Sequence, residues 1–102
     1  MKFKKVKGYV YSRSMDDNRH RVTGYAFQTP GFPWLHLWVT PSIESWGKDR
    51  WNVSHWETGC AVNGYSRDTK EEAVEAAIAT IKEKGEERTR KAIAAWFEGA
   101  TC

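Results

Sequence analysis

The sequence lacks most of the features that would assign a chemistry at once. No apolar run approaches the ~20 residues of a membrane-spanning helix, and no signal peptide precedes the lysine-rich start "MKFKKVK". Both absences lead to the expectation of a soluble protein of the cytoplasm, without a membrane partner. Cysteine is scarce: Cys60 and Cys102 stand alone, neither in a CxxC pair nor at a metal-ligand spacing. Reduced thiols are expected. There is no HExxH for zinc and no GxSxG nucleophile elbow. The glycines are scattered singly, so no loop is built to cradle a phosphate. No metal and no cofactor are expected.

Charge is limited too. The net charge is +3, compatible with an anionic partner but too weak to demand one. It is unevenly spread, +5 over residues 1–51 and −2 over residues 52–102. Lys2, Lys4, Lys5 and Lys7 begin the basic half and suit an edge strand guarded against aggregation.

What the sequence has in quantity is aromatic surface. Six tryptophans raise the aromatic fraction to 14% in 102 residues, which argues against disorder because large rings repay the entropy of folding. The length suits a single domain over 1–102. "KKVKGYVYSR", "RVTGYAFQ", "WLHLWVT" and "RWNVSHW" alternate as strands, and "CAVNGYS" reads as a short fifth one. "SMDDNRH", "TPGFP" and "PSIESWGKD" separate the first four, and "ETG" places Gly59 where a tight turn needs positive φ.

The last third is helical. Thr69 with Glu72 makes a capping box, and Val74, Ala77, Ile78 and Ile81 form an apolar stripe. Gly85 is a natural stop, and "EERTRKAIAAWFEG" predicts a second helix anchored by Ile93, Trp96 and Phe97. The expected class is α+β. An antiparallel four- to five-stranded meander (1–66) carries one or two C-terminal helices (68–98) packed on one face. The opposite face is left without an obvious cover.

Rings on an open sheet beside Arg and Lys make a stacking platform for bases, and the same composition makes a protein-binding hot spot. Tyr11, Tyr25, Phe27, Trp34, Trp38 and Trp56 supply rings, with charge from Arg13, Arg21, Lys48 and Arg50. Trp46 is expected on the loop "PSIESWGKDR" as a contact point. Burial in the core is the commoner fate of any single ring, yet a domain this small seldom buries six indoles completely. His36 and His55 fall on neighbouring predicted strands, and two imidazoles can cleave RNA without a metal. A hydrogen-bonded, partly buried histidine is the plainer alternative.

The stretch "WNVSHWETGCAVNGYSRDTKEEAVEAAIATI", residues 51–81, resembles a segment of small uncharacterised phage and prophage proteins. The shared pattern is a W-x-V-x-H strand, a T-G turn, a short strand and T-x-E-E-A opening a helix. The resemblance implies a short protein of a mobile element. Such proteins are often non-enzymatic inhibitors of host defence, anti-CRISPR proteins among them, and others sequester nucleotide signals. It assigns no residue a role.

The leading expectation is therefore a non-catalytic binding protein, monomer or homodimer, that occludes a host protein or protein–nucleic-acid complex. Its binding residues would be Tyr11, Arg13, Arg21, Tyr25, Phe27, Trp34, His36, Trp38, Trp46, Lys48, Arg50 and Trp56. The second expectation is direct binding of nucleic acid or a nucleotide. The third is a metal-free ribonuclease using His36 and His55.

Overall fold

In the computed structural model residues 3–11, 19–42, 50–62 and 66–98 are described. Strands β1 (Lys4–Tyr11), β2 (Arg19–Gln28), β3 (His36–Pro41) and β4 (Trp51–His55) form one sheet in the order β1-β2-β3-β4. Every neighbouring pair is antiparallel. Helix α1 (Lys70–Phe97) packs against β4 and β3. The α+β meander with a helix on one face is thus the observed architecture.

The strands follow the alternation. Phe27 pairs with Leu37, Tyr25 with Val39 and Val39 with Val53, so these side chains share the face toward α1. There they join Leu35, Val74, Ala77 and Ile81 in the core. Ala26 pairs with Trp38, and Trp38 with Ser54, on the other face. This corrects the expectation that Tyr25 and Phe27 line the uncovered face beside the tryptophans. Register puts them opposite Trp38, because each strand alternates strictly.

The sheet has four strands among the described residues, the lower count expected, and part of the expected fifth strand lies outside them. The returning chain touches β4 in two isolated bridges, Ser54 with Ala61 and Trp51 with Arg67. The turn before it is as expected: Gly59 has φ 75° and its N–H donates to the His55 carbonyl at 2.8 Å. Helix α1 begins at the expected cap, with the Thr69 hydroxyl accepting from the Glu72 N–H at 3.1 Å. The two expected helical segments follow one another within α1, separated by a kink at Gly85, which leaves helical geometry (φ 80°, ψ 171°). That conformation suits glycine, and the Thr89 hydroxyl donates to the Gly85 carbonyl at 2.7 Å on its far side. Among the described residues no helix is long and apolar enough to cross a membrane.

The break lets the second half of α1 reach the end of β4. Trp96 and Phe97 lie 5.5 and 5.7 Å from the His55 ring, centroid to centroid. Cys60, five residues beyond His55, is buried and disulfide-bonded, which corrects the expectation of reduced thiols. The sequence holds one other cysteine, Cys102, which lies outside the described residues.

Candidate binding groove

The face away from α1 is shaped by two glycines. Gly24 in β2 and Gly8 in β1 carry no Cβ, and the Trp38 indole fills the trough they leave. A Cβ at Gly24 would come within 2.7 Å of Trp38 Cε3, and one at Gly8 within 2.8 Å of Trp56 Cζ3. Trp56 stands edge-on to Trp38 with centroids 4.9 Å apart. Trp38 is consequently fully buried on the face opposite α1, while Trp56 remains 38% exposed. Among the described residues, the expected row of stacking rings is reduced on this face to one accessible indole, Trp56.

Beside Trp56 lies a groove of about 710 Å³, within the usual size of small-molecule sites. Val6, Ala26 and Leu35 give it an apolar lining, and Lys4, Gln28 and His36 supply the polar groups. Lys4 and Ala26 are register partners, and Gln28 pairs with His36, so β1, β2 and β3 deliver these side chains to one end of the sheet. The Trp56 N–H donates to the His36 carbonyl at 2.9 Å, which ties the aromatic wall to β3.

His36 is held from behind. Its Nδ1 lies 3.1 Å from Glu57 Oε2, so Nδ1–H donates to the carboxylate and Nε2 is left for the groove. The same Glu57 oxygen is 3.8 Å from His55 Nε2. His55 Nδ1 is 2.8 Å from Thr58 Oγ1, which also accepts from the Cys60 N–H at 3.3 Å. The neutral His55 ring turns Nε2–H toward the Glu57 carboxylate, so Nδ1 accepts and the Thr58 hydroxyl donates to it. Thr58, His55, Glu57 and His36 thus form a chain that fixes one imidazole. Burial holds the His55 pKa below its ordinary 6.5, opposed by the Glu57 charge and reinforced by His36.

The two histidines of the ribonuclease expectation are therefore brought together, but in unequal roles. The His36 side chain is 62% exposed, whereas that of His55 is 2% exposed between the turn and the rings of α1. A smaller pocket of about 290 Å³ lies over His55, bordered by Trp34, Glu57, Arg90 and Phe97. Trp34 lies in it under the Arg90 guanidinium, whose carbon is 4.1 Å from the ring centroid. Among the described residues no group of three or more His, Cys, Asp or Glu side chains is placed to hold a metal ion.

The remaining expected residues scatter. Arg50 is spent on structure: it donates to Ser66 Oγ and to the Ser66 carbonyl, both at 2.7 Å, and lies 3.3 Å from Asp68. Arg21 is exposed on β2, at the register position of Tyr9 and away from the groove. Tyr11 ends β1, and Arg13, Trp46 and Lys48 lie outside the described residues. Lys4, Gln28 and Glu57 are the site residues that sequence reasoning missed. Lys4 and Gln28 sit at strand ends whose register decides their neighbours, and Glu57 looked like part of a turn.

No protein family matches the chain, and no curated protein or solved structure matches it. The site must be read from its own chemistry.

Proposed function

We propose that the chain is a non-catalytic binding protein whose groove takes an anionic aromatic ligand: a nucleotide, or a base of an unpaired nucleic-acid strand. The observation that carries this reading is the meeting of Trp56, His36 and Lys4 around one groove with an apolar floor. An exposed indole offers a π-face to any base, a contact worth about 1–3 kcal/mol. The Gln28 amide can donate to and accept from a base edge. Lys4 suits a phosphate, and the Nε2 lone pair of His36 can accept from a base amino group or a sugar hydroxyl. Cleavage by the His36–His55 pair is disfavoured because His55 is too deeply covered to act on a ligand beside His36.

Binding of mononucleotides and short single-stranded oligonucleotides at low salt tests the reading, with Trp56→Ala and Lys4→Ala as the variants. Affinity should fall with salt and with either substitution. A ligand panel that gives no saturable signal at low salt removes it.

Occlusion of a host protein, the activity suggested by phage and anti-defence proteins, is the second reading. It is favoured by Phe97, 61% exposed at the end of α1 and remote in sequence from the groove. The two readings separate on the variants, since Phe97→Ala should affect a protein partner and leave nucleotide binding intact.

A further inference from the structure

Lys70 opens α1, at the helix end where the macrodipole disfavours a cation. Helix electrostatics do not account for a lysine there; its surroundings do. Its Nζ lies 4.2 Å from the ring centroid of Tyr25, 5.5 Å from that of Trp51 and 5.7 Å from that of Phe3. All three fall within the ~6 Å reach of a cation–π contact.

The rings come from three separate places: Phe3 ahead of β1, Tyr25 in β2 and Trp51 at the head of β4. Phe3 and Tyr25 meet at 74° and Tyr25 and Trp51 at 55°, so they stand as walls around a point and not as a stack. The approach of α1 is fixed as well. Trp51 and Arg67 exchange backbone hydrogen bonds at 2.7 and 2.8 Å, and Arg50 grips Ser66 and Asp68. The cage is not sealed, because Phe3, Tyr25, Trp51 and Lys70 are all half-buried.

We propose that Phe3, Tyr25 and Trp51 form a binding site for a methylated ammonium group, with Lys70 as the resident occupant that such a group displaces. The chain's own ammonium already shows that a cation fits between the rings. A primary ammonium is compact and strongly hydrated. Methylation keeps the charge but replaces water-seeking N–H groups with apolar surface, which loses less on leaving water and gains more against rings. Lys70 has a flexible four-carbon stem on which to swing out to solvent. Free quaternary amines and trimethyllysine in a peptide share this chemistry.

The test titrates tetramethylammonium chloride, and separately a short trimethyllysine peptide, onto the whole chain. The reporter is the Trp51 indole N–H resonance, assigned by its loss in Trp51→Phe. Sodium chloride at matched ionic strength and the unmethylated peptide are the controls. The expected result is a saturable Trp51 shift, about tenfold tighter in Lys70→Ala because an intramolecular competitor has been removed. Response to both probes assigns the site to free amines as well as peptides; response to the peptide alone adds its flanking residues, and either supports the proposal. Lys70→Met, which keeps most of the stem, serves if Lys70→Ala does not fold. No saturable Trp51 shift in any folded protein, or equal affinity with and without Lys70, overturns it and leaves the rings as a staple for α1.

Discussion

The indole of Trp38 lies against the backbone of Gly24, close enough that a Cβ at Gly24 would stand 2.7 Å from Trp38 Cε3 and 2.7 Å from the Val39 carbonyl oxygen. One of those neighbours is backbone and the other is a fully buried ring, so neither gives way cheaply. Gly24→Ala should therefore destabilise the chain by about 1–3 kcal/mol, as overpacked cores do. Gly8→Ala should cost less, because its nearest neighbour is the half-exposed Trp56. Urea unfolding of both variants checks the order. A Gly24→Ala midpoint equal to the wild type's would contradict the packing described.

His55 sets a pH dependence. Unfolded, it takes its proton near 6.5; folded, burial keeps the ring neutral to lower pH. Below 6.5 the unfolded state binds more protons, so stability is full above that pH and declines as pH falls toward the folded pKa. For one proton the slope cannot exceed about 1.4 kcal/mol per pH unit, and it vanishes below the folded pKa. His55→Gln should flatten the profile in that window. Glu57 and His36 face the same ring, so the comparison is made against wild type at each pH.

The Cys60 disulfide should be visible in solution. Chain purified without reductant should show no free thiol at Cys60. Reduction should cost stability by about 2–4 kcal/mol, the usual worth of a native bridge. Thiol labelling before and after unfolding, with Cys60→Ser for comparison, checks both statements. Full labelling of Cys60 in the native, unreduced chain would count against the bond.

Strands, helix and cap were legible because each is a local pattern. Alternation located β1 to β4 within a few residues, Thr69 announced the start of α1, and Gly85 announced its break. The faces were not legible, since they depend on register. Tyr25 and Phe27 alternate as Trp38 does, yet pairing with Val39 and Leu37 sends them to the opposite side. The burial of Trp38 on the face opposite α1 depends on Gly24 and Gly8 in neighbouring strands, where neither glycine stands out alone in the sequence. His36 and His55 were foreseen as neighbours, but the carboxylate that joins them, Glu57, was hidden inside a turn. The cage around Lys70 draws on residues 3, 25, 51 and 70, a distance in sequence that no local pattern spans.

His36 should matter to binding through Glu57. Glu57→Gln removes the charge that fixes the imidazole while keeping its size, so ligand affinity should fall by about threefold to tenfold. The loss should be smaller than that of His36→Ala, with the fold unchanged by circular dichroism. A variant set in which Glu57→Gln weakens binding more than His36→Ala would show that Glu57 acts for another reason.

The central claim is that Trp56 and its groove bind a base. Its most direct measurement is the Trp56 indole N–H resonance, assigned by its loss in Trp56→Phe, during titration with a mononucleotide and with an oligothymidine. A saturable shift confined to Trp56, its neighbour Trp38 and the groove backbone, weakened by salt and abolished in Trp56→Ala, is the predicted result. Binding that leaves Trp56 unmoved, or that survives Trp56→Ala at full strength, would contradict it.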